Sequence, residues 1–332
     1  MPATKKTSAL AKRSLDSFKM FASKEFVSGY QNLVTIQPLN KSKTRGWFIR
    51  TSDLETCGWT ASESDFAEGS VIWDYKQTFG MAPNQSIETG LNFTAPRVQI
   101  LLRSPLMVEE TSGMRRIVGT FEDDDVKANW DHDKEKADLA NSKGEMYKRQ
   151  FSVRTKYLIY ILTQDNQRAH KTPIVLTVKG LNGTDLSEKA KLFEKEMAKC
   201  LSKALDTDMP YTFNEKFHAT TVFCPVLVND MRGANNVEIC AVESFDIPDY
   251  STTEDAIESL GRLTIPDEDR ESTWKFQDMM SDYINMHSAQ DAQRLKGSYG
   301  MANGVEILPA NRTVDAVALP PVNADTGEDS AL

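Results

Sequence analysis

Four lysines at a strict interval of four, Lys191, Lys195, Lys199 and Lys203, are the most specific chemical pattern in the chain. Residues four apart share a face of an α-helix, so the row makes one line of charge, twelve residues at ~1.5 Å each, about 18 Å long. Like charges at this spacing repel by roughly a few tenths of a kcal/mol per pair, offset in part by Glu188, Glu194 and Glu196. A lysine face that merely contacts water is the ordinary alternative. Residues 141–199, however, hold twelve Lys/Arg against six acidic side chains, a net of +6, which favours a surface for a polyanion. Arg154, Lys156 and Arg168 in that block join the row as phosphate-contact candidates.

Aromatic side chains beside cations supply a second ingredient, since bases of a single strand stack on such rings at about 1–3 kcal/mol each. Trp47 and Phe48 lie between Arg45 and Arg50. From Phe151 the chain alternates as a strand, with positions 151, 153, 157, 159 and 161 on one face and Arg154, Lys156 and Tyr160 on the other. Tyr160 is therefore read on the basic face and Tyr157 in the core. The competing use of these rings, filling the core, is expected for at least half of them.

Other chemistries find little support. There is no G-x-x-x-x-G-K-[ST] and no G-x-G-x-x-G, and Gly180-Leu-Asn-Gly183 reads as an ordinary strand-to-helix turn. An EF-hand starting at Asp131 fails, because Lys136 stands where the loop needs Gly and Ser142 where it needs Glu. His132, His170, His218 and His287 show no H-E-x-x-H spacing, so neither a metal nor a cofactor is expected. No G-x-S-x-G occurs, and the pattern favours a non-catalytic protein. Cys57, Cys200, Cys224 and Cys240 form no C-x-x-C pair and read as buried or incidental thiols of a reducing compartment.

The elements that must carry these residues follow from periodicity. Residues 1–30 are basic and weakly patterned, an expected mobile arm. Residues 31–140 show short apolar runs broken by Gly, Pro, Asn and Asp, the spacing of antiparallel strands, and end in a charged segment, Glu122 to Glu145, read as a solvated loop or fraying helix. Residues 141–250 predict a hairpin, Phe151 onward with Pro173 to Lys179, and a helix from Leu186 to Leu205 capped by Thr184 or Asp185. A second hairpin there pairs Ala219 to Val228 with Val237 to Phe245. Residues 251–287 predict two helices, one opened by a capping box at Ser251 and one from about Asp269 to His287. Residues 288–332 lose their aromatics apart from Tyr299 and read as a disordered acidic tail. The expected fold class is α+β, an antiparallel β-rich body of OB-like or related barrel or sandwich type with appended helices and mobile termini.

At 332 residues the chain needs no disulfide staples. Its net charge of −9 is segregated: residues 1–50 carry +8, 51–140 carry −9 and 200–332 carry −14. No apolar run approaches the ~20 residues of a membrane span, and the basic start lacks the apolar block of a secretory signal, so a soluble cytoplasmic protein is expected, with a transit peptide second. Basic groove, small β body and acidic tail resemble the layout of prokaryotic and phage single-stranded DNA-binding proteins, in which the tail competes with DNA and recruits partners. The apolar tip of such tails is missing, since the chain ends Asp329-Ser-Ala-Leu332. Gly46-Trp-Phe-Ile49, Thr94-Ala-Pro-Arg97, Arg103-Ser-Pro-Leu106, Lys156-Tyr-Leu-Ile-Tyr160 and Leu176-Thr-Val-Lys-Gly180 resemble a family of uncharacterised cyanobacterial proteins also found on plasmids and phages, over residues 30 to 205. That resemblance implies a host and no mechanism. The expected partner is single-stranded nucleic acid, with protein partners through the tail and self-association as further contacts. The alternatives are a structural or assembly protein such as a virion component and, third, an enzyme acting on nucleic acid.

Overall fold

The computed structural model describes residues 33–40, 44–79, 85–111, 116–207, 214–232 and 237–281. The expected basic arm, the expected acidic tail and the stretch up to His287 lie outside these. The chain divides into two units, Met1–Leu33 and Val34–Leu332, and the second is the one described.

Its elements are β1 (Thr35–Pro38), β2 (Trp47–Arg50), α1 (Thr51–Cys57), β3 (Val71–Phe79), β4 (Ser86–Phe93), β5 (Arg97–Arg103), β6 (Met107–Glu110), β7 (Arg116–Thr120), α2 (Asp124–Ser142), β8 (Phe151–Leu162), β9 (Ile174–Lys179), α3 (Gly180–Ala204), α4 (Glu215–His218), β10 (Val222–Phe223), β11 (Pro225–Arg232), β12 (Val237–Phe245) and α5 (Thr253–Arg262). A last helix, α6, begins at residue 267 and continues through residue 281. Ten strands form one sheet in the order β10-β5-β8-β9-β1-β2-β4-β3, with β6 and β7 added beside the first half of β8. Every pairing is antiparallel except β1 with β9. The α+β, antiparallel β-rich class read from the sequence is the one observed.

The β8–β9 hairpin forms where alternation predicts it, in the register Leu158↔Val175 and Ile159↔Ile174. Tyr157 points to the side of Ser187 on α3, its buried hydroxyl making no hydrogen bond there, while Tyr160 on the opposite face lies on the side of Asp269 of α6. Helices therefore cover both faces of the central strands. On one side Leu186, Ala190, Phe193, Met197 and Cys200 of α3 are buried, and Phe193 packs its ring 5.3 Å from Phe223 and 6.0 Å from Phe245. Each large apolar side chain buried this way stabilises by about 1.5–3 kcal/mol. On the other side Gln277 of α6 donates to the Leu101 carbonyl at 3.2 Å, and Gln99 donates to Thr273 Oγ1 at 3.0 Å.

Several boundaries differ from the sequence reading. Gly180-Leu-Asn-Gly183 belongs to the start of α3 rather than to a turn before it, with Gly180 left-handed at φ +48 and Asn182 donating to Asn40 Oδ1 at 2.8 Å. Asp185, expected as a cap, instead accepts from the Val242 amide at 2.6 Å. The capping box of α5 belongs to Thr252 and Asp255, one residue later than expected, while Ser251 turns back onto Asp249. Residues 219–221 are not part of the second hairpin, which begins at the pair Pro225↔Phe245, and Val222–Phe223 joins β5 instead. The acidic segment expected as a loop or fraying helix is the 19-residue α2.

Candidate nucleic-acid interface

The lysine row sits on the outer side of α3, whose inner side is locked into the core by the residues above. Lys191, Lys195, Lys199 and Lys203 are all exposed. The helix runs 25 residues without an internal proline, so the four positions are fixed to the rest of the molecule and not to a loop. Lys199 donates to Glu196 Oε1 at 2.7 Å, and Tyr250 donates to the other oxygen of that carboxylate at 2.6 Å. The hydrogen bond to Glu196 raises the pKa of Lys199, and the bonds from Lys199 and Tyr250 lower that of Glu196. Lys191, Lys195 and Lys203 make no ion pair among the described residues. The row thus offers three uncommitted ammonium groups and one shared with a carboxylate.

The remaining candidates do not join it. Arg154, Lys156 and Tyr160 do share a face of β8, and Lys179 pairs opposite Arg154, but this is the face turned away from α3. The expected broad surface made of hairpin and helix together is therefore corrected: the two sets of cations lie on opposite sides of the sheet. Arg154 is spent internally on Glu109, a carboxylate with 3 % of its side chain exposed, to which Lys179 also donates at 2.8 Å. Burial pushes the Glu109 pKa up, and the two cations more than reverse this, leaving it below the usual carboxylate value. Lys156 is half-buried beside them.

Arg168 lies over the Tyr160 ring at 4.3 Å and donates to Thr273 Oγ1 at 2.7 Å, so it ties the β8–β9 turn to α6. Tyr160 itself is 3 % exposed, under that guanidinium and α6. Trp47 and Phe48 are 2 % and 1 % exposed. They belong to β2, which is paired on both edges, and Phe48 packs against Phe79 at 5.6 Å. None of the three rings expected to stack on bases is accessible. The signal was present in the sequence: Trp47-Phe48-Ile49 is an unbroken apolar run, the mark of a strand buried on both faces.

Two residues that sequence reasoning passed over organise the region. Asp133, assigned to a solvated acidic loop, is buried. It accepts from the Tyr147 hydroxyl at 2.9 Å, Arg149 Nε at 3.1 Å and the amides of Gln150 and Phe151 at 3.1 and 3.2 Å. Burial raises its pKa, and these donors outweigh that and lower it. His170 is 1 % exposed, stacked on Trp59 at 5.8 Å. Its Nε2 accepts from the Ile161 amide at 2.9 Å, which makes Nδ1 the protonated nitrogen facing the Thr172 carbonyl at 2.7 Å. Burial drives its pKa down to about 4, so the ring is neutral and structural. All four cysteines are buried free thiols, with pKa values pushed up to about 11 for Cys57 and Cys200 and about 12 for Cys224 and Cys240. Among the described residues no three His, Cys, Asp or Glu side chains converge as a metal-binding group, and no helix is long and apolar enough to cross a membrane.

Residues 31–259, which run from before β1 through β12 and most of α5, match the model of a family described as a domain of unknown function, DUF5895, consistent with the expected uncharacterised family. No curated protein and no solved structure matches the chain.

Proposed function

We propose that this chain, which belongs to that family, binds nucleic acid without acting on it chemically, through the lysine row of α3. The observation that carries the reading is the exposure of Lys191, Lys195, Lys199 and Lys203 in one line on a helix whose other face is buried. A rigid row about 18 Å long spans roughly five phosphates of one strand at ~3.4 Å along a helical axis. Burial of Trp47, Phe48 and Tyr160 removes their support for base stacking, so the contact is to phosphates and is indifferent to sequence. Preference for a single strand rests on the layout shared with single-stranded DNA-binding proteins, as do a cytoplasmic site of action and partners recruited by the acidic tail. An origin in a cyanobacterium, its plasmids or its phages belongs to the same proposal.

Fluorescence anisotropy with a short labelled oligonucleotide, single and then double stranded, at two salt concentrations tests it. Binding that weakens with salt is expected. Absence of binding at low salt, or binding unmoved by salt, would end the proposal. A second reading, an assembly protein, draws on Leu181 and Leu192, which stand 43 % and 45 % exposed on the same helix and suit a protein surface better than a phosphate. Large assemblies formed without nucleic acid, seen by light scattering, would favour it.

A further inference from the structure

Where α5 turns into α6, a cleft of about 590 Å³ opens, walled by Leu201 of α3, Phe217 of α4, Leu260 of α5, and Ile265 and Trp274 beyond it. Its volume falls within the range of small-molecule sites. Most polar groups on the wall are already satisfied. Asn166 donates to the carbonyls of Arg262 and Thr264 at 3.0 and 2.8 Å and accepts from Arg97, and Thr220 and Thr264 donate to the carbonyls of Phe217 and Leu260 at 2.7 Å each. The Trp274 indole donates to the Lys216 carbonyl at 2.8 Å. At the rim Arg270 is paired with Asp267 and Lys216 with Asp278. A ligand would find apolar walls and two aromatic rings, with the exposed carboxylate of Asp165 the one charged lining group that makes no hydrogen bond or ion pair among the described residues.

Gly261 is the second, independent observation. It lines the cleft one residue before the end of α5, where glycine costs about 1 kcal/mol relative to alanine. Neither usual reason for glycine applies. Its φ is not positive and it is not the cap, which is Leu263 at φ −112. A Cβ added there would meet nothing within 4 Å, so no close approach demands its absence. With no side chain, exposed Gly261 puts nothing into the cleft it lines.

We infer that the cleft between α3, α4, α5 and α6 is a binding site for a small uncharged aromatic or alicyclic molecule, with Gly261 on its wall. The site is shared between the family domain, which supplies Leu201 and Phe217, and the stretch past residue 259, which supplies Leu260, Ile265 and Trp274, and it does not use the lysine row. The test is a titration of the full chain with N-phenyl-1-naphthylamine, an uncharged apolar dye that brightens on leaving water. Saturable binding at one site per chain is expected, unchanged between low and high salt. Gly261→Leu and Gly261→Trp should keep the wild-type circular dichroism and melting temperature or raise the latter, yet weaken the dye at least tenfold. Ile257→Ser, on the same helix but outside the cleft, should bind as wild type. No saturable binding, or equal binding by the folded Gly261 variants, or a strong loss with salt, would overturn the assignment. So would equal loss in Ile257→Ser, which would place the dye on the exposed helix surface.

Discussion

His170 carries a stability consequence that can be signed. Its folded pKa of about 4 lies below the ordinary 6.5, so the unfolded chain binds the proton more readily. Stability from this group is complete above about pH 6.5 and is lost as the pH falls toward 4, in total about 3 kcal/mol. Two-dimensional NMR of the imidazole should show the Nδ1–H tautomer unchanged down to pH 5, and a titration near 6.5 would contradict the buried geometry. Glu109→Gln acts through the opposite sign of charge: it leaves Arg154 and Lys179 without the carboxylate both address, and urea unfolding should show a loss of about 3–5 kcal/mol. Neither role was legible beforehand. An imidazole stacked on Trp59 and a carboxylate between two cations are products of segments 45 to 111 residues apart meeting in the fold, and no local spacing encodes that. Trp47 and Phe48 are the opposite case, since the apolar run containing them did announce a doubly buried strand.

At the level of elements, the alternation of β8 and the 3.6-residue pattern of α3 were readable because each is a local consequence of one buried face. The segment 122–145 was not. Its helix is polar nearly all round and, besides the Phe121–Trp130 contact and buried Ala137, is anchored by Asp133, an acidic residue indistinguishable in sequence from its neighbours. Asp133→Asn should keep the sheet folded but lower amide exchange protection across residues 124–142, at a cost of about 1–3 kcal/mol. Uniform loss of protection across the sheet instead would show that the latch does more than hold α2. For α3, Lys191→Glu, Lys195→Glu and Lys199→Glu combined should abolish oligonucleotide binding at low salt without changing the circular dichroism spectrum. Wild-type affinity in that folded triple variant would reduce the row to a solvated face.

For the whole molecule the relevant quantity is charge distribution. Deleting residues 1–25 removes Lys5, Lys6, Lys12, Arg13, Lys19 and Lys24 with Asp16 and Glu25, a net loss of +4. Affinity should fall and the salt slope flatten by roughly 0.7 for each phosphate of a single strand that is no longer neutralised. Deleting residues 313–332 removes Asp315, Asp325, Glu328 and Asp329, and binding should tighten at low salt but hardly at high salt, where screening already weakens repulsion. Equal effects at both salts would argue against an electrostatic tail. The triple α3 variant should weaken binding more than the deletion of residues 1–25.

The parallel pairing of β1 with β9 also governs how the chain can be made. Thr35 sits beside Val175 and Ile36 beside Leu176, so the seam that joins β2, β4 and β3 to the rest of the sheet waits for a segment 140 residues further along. On a ribosome adding ~5–20 residues per second, that interval is roughly 7 to 28 seconds. Until β9 emerges, β1 presents an unpaired edge to the cell, and the nascent chain must either leave it loose or have it shielded. A fold with such a distant seam is slow to close by topology alone, and its vulnerable period falls during synthesis, before the lysine row on α3 has been made.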